Sequence, residues 1–337
     1  MLEHYWYIAC RSKNLGKKPL GIRIMNKNLV LFRTAQCDVA ALEDRCAHRN
    51  SPLSLGHVSG DTLQCPYHGW CYGIDGKLVE IPSLSQSATL PEVKARHCYP
   101  CVEQDGYVWI SLHPETVEPI PTRLPHIDTA GWTSFHMQTH FDAPVEACLE
   151  NFLDCPHATF VHKGWFRSPT SKTVRVQLRW LDDGAEVEYF QEPREKSVVW
   201  WLLSPSNTKM KHTDRFIAPN ISRVDYEFSN GLRYIITSVC TPLSSRETMV
   251  HTTISFKYGR IGKLVRLFFE PLSRIIIRQD VEMLNAMQKN IDRFDRVSFT
   301  SCEADLLTPH IKQWRAAIKN GDAPPAKQPM MEFDIRI

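Results

Sequence analysis

The sequence predicts an α+β protein in two parts, an all-β domain followed by a domain of helices and an antiparallel sheet. Three observations predict it. The first 112 residues carry short β-prone runs separated by turn residues, prolines crowd the stretch from His113 to Pro125, and the remainder mixes helical with strand-like patterns without an internal repeat. At 337 residues and 43% hydrophobic content, the chain is long enough to bury two cores.

In the first part, strands are expected at residues 5–9, 21–32, 39–42 and 106–112, the last around Tyr107-Val108-Trp109-Ile110. Asn26-Lys27-Asn28 and Ile74-Asp75-Gly76-Lys77 supply turns between such runs. Pro114, Pro119, Pro121 and Pro125 mark an extended connector, so the expected domains are 1–113 and 126–337, joined by 114–125. In the second part a helical stretch is expected near residues 144–163. Strands follow at 173–180, 186–190, 198–203, 234–240 and 250–256, then helices near 262–290 and 309–319.

The net charge of +3 is small for this length, and no Lys/Arg block or nucleic-acid motif appears, so a nucleic-acid role has little support. No run of about 18 apolar residues occurs, which argues against a membrane span. The most apolar late stretch, 264–277, is interrupted by Arg266, Glu270 and Arg274. The N-terminus, Met1-Leu2-Glu3-His4-Tyr5-Trp6, lacks the pattern of a secretory leader. Eleven cysteines, an odd number, disfavour a disulfide framework, and a reducing cytoplasm is the expected location. Cys98 and Cys101 resemble half of a zinc knuckle but have no second half, and are read as strand residues.

Two mixed pairs carry the chemistry. Cys46-Ala47-His48 is followed after sixteen residues by Cys65-Pro66-Tyr67-His68. Each loop offers one thiolate and one imidazole from a tight turn, which is the ligand pattern of a Rieske [2Fe-2S] cluster: two thiolates on one iron, two imidazoles on the other. Two Cys and two His also suit tetrahedral zinc, but zinc motifs usually repeat a pair of like residues. His57 has neither spacing and reads as a surface histidine. Further on, His157 and His162 are candidate ligands of a mononuclear iron. Five residues span about 140° on an ideal helix, so a break is needed to bring them together, and Pro156 stands where a new turn can begin.

Cys46-Ala47-His48-Arg49 and Cys65-Pro66-Tyr67-His68-Gly69-Trp70 resemble the Rieske non-haem iron oxygenases, oxygenase component. The family more often has Pro and Gly where this chain has Ala47 and Asn50; Asn tolerates left-handed backbone. Residues 150–162 match the family's Asn-x-x-Asp-x-x-His-x-x-x-x-His pattern through Asn151, Asp154, His157 and His162. The length is most similar to the vanillate demethylase and phenoxybenzoate dioxygenase branch. The resemblance implies a helix-grip, START-like second domain and Asp280 as the third iron ligand, with Glu282 its neighbour and competitor. Glu282 lies about 200° round a helix from Asp280, so the two should not share a metal. It also implies that Asp154 links His68 of one subunit to His157 of the next in a homotrimer; an N-cap role before Pro156 is the modest alternative for Asp154.

The activity implied is that of an oxygenase component. It uses O2 and electrons from a separate reductase or ferredoxin, fed by NAD(P)H, to hydroxylate or O-/N-demethylate a small aromatic or cyclic substrate. A ring cis-dihydroxylating dioxygenase is the alternative, and a Rieske electron-transfer or ligand-binding protein is the alternative of another class. Trp165, Phe166, Trp200 and Trp201 are candidates for an aromatic pocket, and Arg215, Arg233 or Arg278 for holding a substrate carboxylate; the sequence does not choose among them.

Overall fold

The computed structural model describes residues 1–85, 87–163, 165, 173–190, 210–294 and 297–336. It divides into two compact units, Leu2–Arg123 and Leu124–Ile337, the latter joined by Met1.

The first unit is all β, with ten short strands: β1 (Trp6–Arg11), β2 (Leu20–Ile24), β3 (Lys27–Arg33), β4 (Val39–Glu43), β5 (His57–Ser59), β6 (Thr62–Gln64), β7 (Cys71–Tyr72), β8 (Leu78–Glu80), β9 (Cys101–Gln104) and β10 (Tyr107–Ser111). They form three antiparallel sheets, ordered β1-β10-β9, β2-β3-β4 and β5-β6-β7-β8. The run at 21–32 is a hairpin: Ile24 pairs with Lys27, and Met25 and Asn26 both have positive φ, as a two-residue turn matched to strand twist requires. Cys98 makes an isolated bridge to Leu42, and Cys101 opens β9. One core cluster gathers Val30, Phe32, Leu42, Leu53, Leu63 and Tyr72 with Cys46 and Cys65, so both cysteine loops spring from a packed base. Strands β5 to β8 were not expected. Two or three residues are too few to display alternation.

Among the described residues, the second unit is built on one eight-stranded antiparallel sheet. In chain order its strands are β11 (Trp132–Phe141), β12 (Thr173–Leu181), β13 (Gly184–Phe190), β14 (Met210–Ile217), β15 (Ile221–Phe228), β16 (Arg233–Pro242), β17 (Thr248–Lys257) and β18 (Met331–Arg336). In space they run β11-β17-β16-β15-β14-β13-β12-β18. The described helices are α1 (Val145–Phe152), α2 (His157–Phe160), α3 (Gly262–Ile291) and α4 (Thr308–Asn320). The stretch expected as one helix near 144–163 is two: α1 ends at Leu153 (φ −114°, ψ 9°), and α2 begins after Pro156. The strand expected at 198–203 lies outside the described residues.

Strand register lays out the inner face in rungs. One rung is aromatic, Tyr189-His212-Tyr226-Tyr234-Phe256. The next, two residues along each strand, reads Val187-Asp214-Val224-Ile236-Ile254-Phe135. Phe269 of α3 is fully buried against Phe135, Tyr234 and Phe256, with ring centroids 5.2–6.3 Å apart, and so clamps α3 onto this face. Losing such a ring typically costs about 3–5 kcal/mol.

Candidate metal centres and active site

The first four predicted ligands stand on two loops, one after β4 and one between β6 and β7. Cys46 and Cys65 are buried at the base, while His68 is exposed and His48 half-buried. Each loop closes on itself: the Asn50 N–H bonds the Cys46 carbonyl at 3.0 Å and the Gly69 N–H the Cys65 carbonyl at 3.2 Å. Both turns need left-handed backbone, with φ of 59° at Asn50 and 72° at Gly69. His48 stacks flat on Trp70, ring centroids 4.7 Å apart, and meets His68 edge-on at 4.5 Å. Burial pushes the Cys65 thiol up and the adjoining Cys46 raises it further, while the Tyr67 and His68 backbone N–H groups work the other way. Tyr72 Oη lies 3.2 Å from Cys46 Sγ and accepts the Ala47 N–H at 2.9 Å.

A [2Fe-2S] cluster fits this donor set. The His48 Nδ1 is buried without a hydrogen-bond partner, as a metal-directed nitrogen should be. A single tetrahedral zinc would draw its ligand atoms to within about 4 Å of one another. Among the described residues, the one group of three or more such donors within 4.8 Å is instead His157, His162 and Asp280, so the Cys-His quartet is spread too widely for one small ion.

The second site is that triad. The break between α1 and α2 turns His157 and His162 toward each other, their ring centroids 5.3 Å apart, and α3 presents Asp280 from across the unit. Asp280 Oδ1 is 3.1 Å from His162 Nε2 and 3.6 Å from His157 Nε2. On the far side of each ring, Nδ1–H has an acceptor: Gln279 Oε1 at 2.9 Å for His162, and the Asp154 carbonyl for His157. With Nδ1 protonated, each Nε2 turns a lone pair toward the carboxylate. Asp280 Oδ1 is buried and makes no hydrogen bond of acceptable geometry. Facing lone pairs at this range call for a cation between them, and two imidazoles with one carboxylate suit Fe(II) with open positions. Burial opposes the charged carboxylate, yet imidazoles carrying their protons on Nε2 would hold Asp280 down at about 2, a sign of how strongly this carboxylate favours positive charge at that position. Burial likewise opposes charge on His157, and Asp280 outweighs it to raise that histidine. Glu282 is exposed and points elsewhere. α2 takes no side-chain cap, so an N-cap role for Asp154 is not seen. Burial raises the Asp154 carboxyl against the opposing pull of His157.

A cavity of about 140 Å³ lies between the triad and the inner face of the sheet. A hollow of about 530 Å³ lies beyond it, bordered by α1 and α3, and Asp154 and His157 line both. The inner cavity has an unexpected polar feature: His212 Nε2–H bonds Asp214 Oδ1 at 2.9 Å, both side chains being at most 3% exposed. The His212 ring lies between Tyr189 and Tyr226, with centroids 4.5 and 4.4 Å away. Sequence reasoning overlooked this pair, although His212-Thr213-Asp214 in a strand puts both on one face. The arginines considered for a substrate carboxylate are elsewhere: Arg215 pairs with Asp183, Arg233 with Glu227, Arg278 is exposed, and none lines the cavity. Trp165 is half-buried and does not line it. Phe166, Trp200 and Trp201 lie outside the described residues.

Comparison with known proteins agrees with this arrangement. Residues 5–95 match the Rieske [2Fe-2S] domain family, and residues 141–319, more than half of the chain, match the vanillate O-demethylase oxygenase C-terminal domain. The chain belongs to the Rieske oxygenase family. Methylxanthine N1-demethylase NdmA of Pseudomonas putida is 33% identical to this Rieske oxygenase, over 94% of this chain and 89% of its own. Chlorophyllide a oxygenase of Arabidopsis thaliana, a chloroplastic protein, is 28% identical over 95% of this chain, which spans only 58% of that longer relative. Dicamba monooxygenase bound to 3,6-dichlorosalicylic acid shares the fold of this Rieske oxygenase: TM-score 0.84 and 20% identity, over 95% of this chain and 98% of that one. No helix among the described residues is long and apolar enough to cross a membrane.

Proposed function

We propose that this chain is a terminal oxygenase that hydroxylates or demethylates a small aromatic or cyclic compound. Cys46, His48, Cys65 and His68 would hold the [2Fe-2S] cluster, and His157, His162 and Asp280 the mononuclear Fe(II). When bound, the cluster supplies single electrons and the ferrous ion supplies reductive activation of dioxygen. A separate reductase or ferredoxin, drawing on NAD(P)H, replenishes the electrons. Overall, one O2, two electrons and two protons convert R–CH3 to R–CH2OH and water. When the methyl group is on oxygen or nitrogen, the product falls apart to formaldehyde and the demethylated compound. The observation that carries this reading is the His157, His162 and Asp280 triad opening onto a largely apolar cavity in a chain that also bears the Cys-His quartet.

The chain's own residues do the positioning. Gln279 and the Asp154 carbonyl hold the Nδ1 protons, so both Nε2 atoms stay free to ligate. The aromatic and aliphatic rungs give the cavity a mostly apolar wall beside the triad. Asp154, which holds His157 through its main-chain carbonyl, is proposed to reach His68 of a neighbouring copy through its carboxylate and so to join the two histidines in a homotrimer. His68 is exposed, and Asp154 borders both the inner cavity and the outer hollow, which supports that reading. A cytoplasmic location is proposed because none of the eleven cysteines is in a disulfide. Cis-dihydroxylation is the second reading; the demethylase and monooxygenase names of the relatives favour the first.

The test is substitution in the reconstituted system. His157→Ala should abolish coupled oxygen uptake and leave the Rieske absorption intact, and normal turnover by that variant would remove the mononuclear site. Asp154→Asn should retain both metals and slow electron transfer between them in a single turnover; unchanged kinetics would remove the bridge.

A further inference from the structure

Asp214 is the one polar side chain in a rung otherwise made of Val187, Val224, Ile236, Ile254 and Phe135. Placing a carboxylate there is costly, and packing alone would favour another aliphatic residue. The cost is met by a dedicated device. His212, two residues earlier on the same face, is fixed between two tyrosine rings and donates to Asp214 Oδ1 at 2.9 Å. That bond uses one of the several acceptor positions of a carboxylate. Both residues line the same cavity as the triad.

The charge of the cavity points the same way. Its described lining holds three carboxylates, Asp154, Asp214 and Asp280, and neither lysine nor arginine. An organic acid entering this space would meet carboxylates and, among the described residues, no spare cation, whereas an N–H group would meet an anchored acceptor.

We propose that Asp214, oriented by His212, is a substrate-recognition subsite that reads an N–H donor, so that the substrate is a small, mostly apolar nitrogen compound, neutral or cationic, and not an organic acid. The proposal rests on the oxygenase reading for the identity of the cavity as the substrate site. Asp214 binds the donor, and His212 is the positioning residue that holds the carboxylate in plane.

The experiment is anaerobic binding, by calorimetry on the iron-loaded holoenzyme, of three compounds sharing one ring and one O-methyl group: 4-methoxybenzylamine, 4-methoxybenzamide and 4-methoxybenzoate. The amine, the amide or both should bind roughly tenfold or more tightly than the benzoate, since a hydrogen bond to a charged group is worth about that much. The amine leading identifies a cationic substrate, the amide leading a neutral one. In Asp214→Asn, with both metals loaded, the preference should fall to within about threefold or reverse. Tighter binding of the benzoate, equal binding or none for all three, or an unchanged preference in Asp214→Asn would each overturn the proposal. If the variant does not fold, the comparison on the unaltered protein decides. Dioxygen is absent from this measurement, so failure of the oxygenase reading shows separately: the order of affinities would hold while no bound compound stimulates oxygen uptake.

Discussion

His162 and Gln279 illustrate how one hydrogen bond determines what a ligand can do. Gln279 Oε1 takes the Nδ1 proton of His162 at 2.9 Å, which both selects the tautomer and fixes the ring plane. Gln279→Leu removes the acceptor while keeping the bulk, and iron affinity is expected to fall about 10- to 100-fold, the usual cost of losing such an outer partner. Competition with a chelator measures it, with cluster absorption as the control; unaltered iron affinity would show that Gln279 does not position the ring. Tyr72 plays a comparable part at the other centre, its hydroxyl 3.2 Å from Cys46 Sγ. A phenol donating to a cluster sulfur favours the reduced, more negative state. Tyr72→Phe should therefore lower the reduction potential, by up to about 130 mV if the full worth of a charged hydrogen bond, about 3 kcal/mol, is lost. Redox titration followed by absorbance reads this directly, and a potential that stays or rises would contradict the assignment.

Among the elements, α3 has the most exacting fit. It begins at Gly262, where a Cβ would lie 2.1 Å from Thr133 Oγ1 and 3.0 Å from Thr133 Cβ on β11. Gly262→Ala should overpack that contact and cost about 1–3 kcal/mol. Gly262→Ala combined with Thr133→Ala, which removes the nearer atom, should recover most of the loss in urea denaturation. Additive losses would mean that the contact is not what excludes a side chain. The start of α3 at residue 262 and the helix over 309–319 were legible because apolar periodicity and bounding residues agree there. Strands β14 and β15 were not. Their inner-face positions include His212, Asp214 and Ser222, so apolar alternation is interrupted at the residues that line the cavity. The chemistry of the pocket concealed the strands that carry it.

For the whole molecule, the metal ligands divide by how far apart in sequence they lie. The pairs Cys46-His48, Cys65-His68 and His157-His162 could be read from spacing because each is set by one turn of chain. Asp280 follows His157 by more than a hundred residues, and only family resemblance singled it out, since no local pattern distinguishes it from Glu282. The rungs of the sheet, assembled from strands scattered between β11 and β17, left no trace in any one segment. Long-range burial also has a consequence for stability that the sequence conceals. Burial pushes His251 down to about 3 and His310, packed on the Trp180 ring edge, down to about 4. Both are neutral in the fold and ordinary in the unfolded chain, where histidine titrates at about 6.5. Above that pH they contribute nothing to the pH dependence. As pH falls below it, the unfolded chain takes up protons that the folded chain refuses, so stability is lost progressively down to about pH 3–4. At pH 5 each histidine should cost about 2 kcal/mol relative to pH 7. His310→Gln removes one of the two, and its loss of stability between pH 7 and pH 5 should be smaller than that of the unaltered protein by about 2 kcal/mol. Urea midpoints at the two pH values test this, whatever the variant costs at pH 7, and parallel losses would show that His310 is protonated as readily in the fold as outside it.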